Sequence, residues 1–300
     1  MGPGKGSGPW RSTIKTSKHK AKGDMQLRFW GTRGSIAVPG PDTLRYGGNT
    51  TCVEMKFADG GEVIIDAGTG IRPLGERMAE REGPLEINLL ITHLHWDHIN
   101  GVPFFAPVYR ADCHIRVGGW PRGLEGLAGL FDSRRSDGRF PVKFVDLPSR
   151  MECSDRLMPP AFQLGQVQVR TIPLNHPQGC VGLRFQDPGG KSLCFITDNE
   201  LEPGADPPPR LVEFCRGVEI MIHDAQYLPA EMEQRRGWGH SDWHSTLRLA
   251  QAAGVRHLVL THHDPSRSDE QVDDIIAQAR YQAGGDMLVE AAYEGMVLSL

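Results

Sequence analysis

The sequence predicts an α/β fold of two similar β-rich halves with helices outside. Short apolar runs alternate with segments of helical period, the second half repeats the texture of the first, and no linker-like stretch separates them. With 39% hydrophobic and 23% charged residues, the 300-residue chain is able to build a large core.

In chain order, strands are expected over Met25–Trp30, Thr51–Phe57 and Glu62–Asp66, with the Asp59-Gly60 hairpin signal between the last two. Glu86–Thr92 becomes apolar toward its end, as a doubly buried strand would. His114–Val117 and Lys143–Leu147 read as shorter strands, and Gly118–Phe140 as a helix plus a mobile insertion. Gln166–Pro173, Cys180–Gln186 and Ser192–Thr197 follow as strands, with a turn at Asp187-Pro188-Gly189-Gly190. Val218–His223 and His257–Thr261 are β-like. His244–Ala253 is a helix closed by Gly254, and Ser268 with Gln271 forms the capping box of a last helix.

Residues 1–24 carry six basic side chains and one acid and are expected to be a disordered basic tail, leaving residues 25–300 as the folded domain. The chain holds 33 Lys and Arg against 37 Asp and Glu, so the remainder is clearly acidic, which disfavours a grip on long nucleic acid. No run is long and apolar enough for a membrane span and no secretory signal is seen. The six scattered cysteines are expected to be reduced thiols in the cytoplasm.

The chemistry is concentrated in Thr92-His93-Leu94-His95-Trp96-Asp97-His98, where a buried strand ends. Alternation sends His93 and His95 to one side, while Asp97 and His98 leave the loop in other directions. Imidazole and carboxylate ligands suit zinc, manganese or iron, and the arrangement is able to serve two metals. His176, Asp198 and His262 each follow an apolar strand and are candidates to complete two shells.

His93-x-His95-x-Asp97-His98, followed in order by His176, Asp198 and His262, resembles the metallo-β-lactamase-fold superfamily over residues 25 to 300. The resemblance implies a four-layer αβ/βα sandwich with two divalent ions, zinc first and manganese as an alternative. It implies His93, His95 and His176 on one metal, Asp97, His98 and His262 on the other, and Asp198 bridging. His263 competes with His262, which stands at the family's strand-Thr-His position. Asp66, in Ile64-Ile65-Asp66-Ala67-Gly68, matches the family's first Asp motif and would orient a ligand His. His223 and Asp224 resemble a supporting segment.

Gly239-His240-Ser241, then a helix and Leu258–His262, resembles the tRNase Z-like phosphodiesterase branch. That branch implies His240 as a catalytic acid beside Asp97; His244 is the competing histidine. Gly31–Ser35 and Tyr46–Thr50 resemble small cyclic nucleotide phosphodiesterases of the anti-Pycsar type, with Arg33 and Asn49 as candidate phosphate contacts. The tRNA-clamping arm of tRNase Z has no room between His176 and Asp198. The expected substrate is therefore a small cyclic phosphodiester such as a nucleoside 3′,5′-cyclic monophosphate, with no stable nucleic-acid or membrane partner and a homodimeric state. A tRNase Z-like RNA nuclease, a thiolester or lactone hydrolase and a non-hydrolysing sensor are the alternatives. Arg134, Arg135 and Arg139 would steer an anion if the insertion covers the pocket.

Overall fold

The computed structural model describes residues 25–119, 122–131, 140–157 and 160–300. The expected basic tail, and Arg134, Arg135 and Arg139, lie outside the described residues. The first sheet holds β1 (Gln26–Gly31), β2 (Cys52–Lys56), β3 (Glu62–Ile65), β4 (Leu85–Ile91), β5 (Cys113–Gly119) and β6 (Arg150–Cys153). The second holds β7 (Ala161–Leu164), β8 (Val167–Leu174), β9 (Cys180–Gln186), β10 (Ser192–Ile196), β11 (Ile220–Asp224), β12 (His257–Thr261) and β13 (Leu288–Ala291). A last strand, β14 (Val297–Ser299), returns to the first sheet beside β1.

Both sheets follow one plan. The order β14-β1-β2-β3 is antiparallel, and β4, β5 and β6 continue from β3 in parallel. In the second sheet β7-β8-β9-β10 is antiparallel, and β11, β12 and β13 continue in parallel. Parallel strands share a direction, so the chain leaves β3, β4, β10, β11 and β12 at their carboxyl ends, where Asp66, the His93–His98 loop, Asp198, Asp224 and His262 stand.

Strand alternation builds three apolar layers. Leu27, Phe29, Met55 and Leu90 meet Val169, Phe185, Phe195, Ile222 and Val259 between the sheets. On the outside of the first sheet, Ile87, Leu89 and Ile91 pack with α1 (Ile71–Ala79) and α3 (Gly123–Leu130). A short α2 (Trp96–Ile99) carries Asp97 and His98. On the outside of the second sheet, Cys194, Met221 and Leu258 pack with α4 (Pro209–Cys215), α6 (Trp243–Ala252) and α7 (Asp269–Ala283); α5 (Met232–Arg235) lies in the segment before His240. The result is the αβ/βα sandwich.

The helix ends follow the sequence signals. Ser268 and Gln271 form the capping box of α7. Asp242 caps α6 by accepting from the His244 and Ser245 amides, and Gly254 beyond its end has φ 66°. All six cysteines are free. Lys143–Leu147 is not a strand: Phe144–Asp146 forms a 3-10 turn, with Phe144 and Leu147 packed on the outer core of the first sheet. Pro148 offers no N–H for a ladder, and pairing with β5 begins at Arg150. No helix among the described residues is long and apolar enough to cross a membrane.

Candidate metal centre

The structure brings together two groups of donors that share one carboxylate. His93, His95, His176 and Asp198 form the first; Asp97, His98, His262 and Asp198 form the second; Asp224 and His240 join His262 in a further group without that carboxylate. His93 Nε2 and His176 Nε2 lie 3.4 and 3.7 Å from Asp198 Oδ2. His98 Nε2 and His262 Nε2 each lie 3.3 Å from the other oxygen, Oδ1. Asp97 Oδ2 is 3.1 Å from His262 Nε2 and 3.3 Å from His98 Nε2. Asp198 thus presents one oxygen to each group.

The backbone pays attention to this geometry at the strand ends. Asp66, Asp198 and His262 have φ of 60°, 40° and 58°, a left-handed conformation that turns each side chain inward directly after its strand. Close approach is secured by glycine. Gly239 has φ 87°, and a Cβ there would stand 2.1 Å from His176 Nδ1. A Cβ on Gly34 would stand 2.4 Å from His262 Nδ1.

The outward ring nitrogens determine what the inward ones offer. His98 Nδ1 donates to Asp66 Oδ2 at 2.8 Å, and His176 Nδ1 donates to the Gly239 carbonyl at 2.9 Å. His262 Nδ1 faces Gln226 Oε1 at 3.0 Å, and His95 Nε2 faces Gln178 Oε1 at 2.8 Å. In a neutral ring each such bond leaves a lone pair on the other nitrogen. Those lone pairs converge: His95 Nδ1 and His176 Nε2 are 2.9 Å apart, and His98 Nε2 and His262 Nε2 are 3.3 Å apart. His93 Nε2 is buried with no hydrogen-bond partner. Converging lone pairs, two carboxylates and an orphaned nitrogen fit a pair of divalent cations.

The electrostatics point the same way. Burial holds His176 down at about 4, with Asp198 opposing. Burial also pushes His98 down, but Asp198, Asp97 and Asp66 outweigh it and raise the ring well above the ordinary imidazole range. Burial favours neutral Asp97, yet His98 and His262 hold it well below the ordinary carboxylate range. The carboxylates around His98 thus favour positive charge at this point, which bound cations would supply.

Asp66 is buried and accepts from the Thr92 amide and hydroxyl, both at 2.8 Å, as well as from His98. His263 turns away and bonds the Ala292 carbonyl at 2.9 Å, so His262 is the member of the cluster. His240 Nδ1 is 2.9 Å from Asp224 Oδ2, and its ring stacks on that of His262 at 4.9 Å and 21°. His223 is buried behind, 2.6 Å from the Asp224 carbonyl. His244 belongs to none of the donor groups found among the described residues; its ring packs on Trp243.

Two expected phosphate contacts are corrected. Arg33 is fully buried, and its guanidinium donates to the carbonyls of Gly47, Asp264 and Arg267 and lies 3.7 Å from Asp269. Asn49 gives its amide and side-chain N–H groups to Glu294 at 2.7 and 3.1 Å. Both fasten the N-terminal loops to the C-terminal segments. The sequence reading misses Gln226, Gln178 and Ser35, whose amide donates to Asp97 Oδ2 at 2.7 Å. The available signal was the need of each ligand for an outer hydrogen-bond partner.

The beta-lactamase superfamily domain matches residues 62–263. Ribonuclease BN of Cronobacter sakazakii is 24% identical over 85% of this chain and 94% of its own length. Ribonuclease Z of Pseudomonas putida is 27% identical over 89% and 100%. A diphosphatase from the PhnP family superposes with a TM-score of 0.65 at 18% identity, covering 92% of this chain and 97% of that one. With the fold and the donor groups in view, the chain belongs to the beta-lactamase superfamily and is a metal-dependent hydrolase.

Proposed function

We propose that the protein is a dinuclear-metal phosphodiesterase acting on a small cyclic phosphodiester, nucleoside 3′,5′-cyclic monophosphates first. The observation that carries this reading is His240, stacked on His262 and bonded to Asp224 beside both donor groups. The two groups that share Asp198 would hold a pair of cations, which would supply Lewis acidity toward phosphate oxygens and water near neutral pH. The chain itself then has to supply a proton to the departing alkoxide. Asp224 accepts from His240 Nδ1, which leaves Nε2 to carry the transferable proton. A thiolate departs without a proton, so the pairing favours a phosphodiester over a thiolester.

The choice of a small ester rests on topology. Residues 177–197 are used up by β9, β10 and the turns beside them, which leaves no room for an RNA-embracing arm between His176 and Asp198. The net charge of −4 argues in the same direction. A second reading, RNA hydrolysis, is supported by the sequence likeness to Ribonuclease BN and Ribonuclease Z.

The test is to load purified protein with zinc or manganese and supply cAMP, cGMP, cCMP and cUMP beside a precursor tRNA. Nucleoside monophosphate is expected from at least one cyclic nucleotide, and His240→Ala should lower its rate by roughly 10²–10⁴. Cleavage of the RNA alone would replace this reading with the second.

A further inference from the structure

The segment carrying His240 lies along the loop that follows β10, and three consecutive residues of that loop hold it. Asp198 faces both donor groups. Asn199 accepts at its carbonyl from the Ser241 hydroxyl at 2.5 Å, and the Leu201 amide donates back to that hydroxyl at 3.1 Å. Glu200 spreads its carboxylate over two amides: Oε1 accepts from Gly237 at 2.8 Å and Oε2 from Gly239 at 2.7 Å. Its own backbone is fixed by Asn175, whose carbonyl accepts from the Glu200 amide at 2.8 Å and whose side chain donates to the Glu200 carbonyl at 2.9 Å.

Gly237 and Gly239 have φ of 81° and 87°, so the segment before His240 consists of conformations with little intrinsic preference. The Glu200 carboxylate removes that freedom on one side of His240, and Ser241 removes it on the other. Asp224 then fixes the ring. Half-buried Glu200 belongs to none of the donor groups found among the described residues, yet one peptide separates its contact at Gly239 from His240.

We propose that Glu200 is a positioning residue for the acid: by clamping the Gly237 and Gly239 amides it sets where His240 delivers its proton. The proposal rests on the phosphodiesterase reading with His240 as acid. A displacement of that acid by about an ångström costs roughly 10²-fold in rate. The cost falls only on esters whose leaving oxygen needs a proton.

The test compares Glu200→Ala and Glu200→Gln with the wild type on a cyclic nucleotide, which leaves as an alkoxide, and on bis(p-nitrophenyl) phosphate, whose leaving group needs no acid. For Glu200→Ala, kcat on the cyclic nucleotide should fall roughly 10²-fold with KM within about threefold, while the activated ester changes by less than about threefold. Glu200→Gln keeps one acceptor and should lie between. Hydrogen exchange at the Gly239 amide should quicken in both variants, and bound metal per chain should stay the same. Equal losses on both esters with fewer bound cations would overturn the proposal in favour of a role in holding His176. Unchanged rates on both would overturn it outright. Should Glu200→Ala not fold, the selectivity of Glu200→Gln decides. If wild type spares every cyclic nucleotide, the substrate reading fails by itself. Glu200 is then judged by the same contrast with a linear dinucleotide in place of the cyclic ester.

Discussion

The His240 imidazole is pulled in two directions. Burial favours the neutral ring, Asp224 favours the charged one, with Asp198 and Asp97 adding to it, and the balance is raised to about 9. Bound cations would neutralise Asp97 and Asp198, so Asp224 is the partner left to hold the proton. An acid must be protonated to act, so the rate falls as pH rises through its pKa, no higher than about 9 here. Asp224→Asn removes the charge that raises it. The alkaline limb of the kcat profile should therefore move to lower pH in that variant; a limb that stays in place would remove His240 from the acid role. The donor residues were legible in the sequence because each follows an apolar strand. Their supports were not: Gln226 and Gln178 are ordinary loop residues until folding sets them beside His262 and His95. Arg33 misled for a related reason. Its position beside glycines suggests phosphate, and only the fold shows three carbonyls already closed around it.

At the scale of elements, Arg33 joins the loop after β1 to the turn before α7. Replacing fully buried Arg33 by Met removes the cationic partner of Asp269, which keeps only the Arg45 and Tyr46 amides, and leaves three carbonyls without their guanidinium donor. A loss of roughly 3–5 kcal/mol is expected, read as a lower urea midpoint. Arg33→Lys should recover little of it, since an ammonium cannot reproduce the fork. A midpoint unchanged in both variants would contradict the role assigned to this pin. Most strands were visible from alternation, but α1 was hidden. Pro73 and Gly75 depress its helix propensity, although Ile71, Leu74, Gly75 and Met78 are its buried face. Gly75 is there for packing: a Cβ would meet the Phe105 ring at 2.7 Å. Edge strands β7, β13 and β14 are only three or four residues long, too short for a periodic signal.

For the whole molecule, three apolar layers hold the sandwich together independently of the donor groups. Chelation should therefore leave the far-ultraviolet dichroism in place while lowering Tm. A site filled at 1,000 times its Kd contributes about 4 kcal/mol, so two sites shift Tm by on the order of 10 °C or more. Unfolding on chelation would mean that the layers do not suffice. The three left-handed corners have a consequence of their own. Asp66, Asp198 and His262 occupy conformations that glycine would adopt with less strain, by about 1 kcal/mol each. At Asp66 that relief would be outweighed, because glycine there would leave the buried Thr92 amide, the Thr92 hydroxyl and His98 Nδ1 without their acceptor.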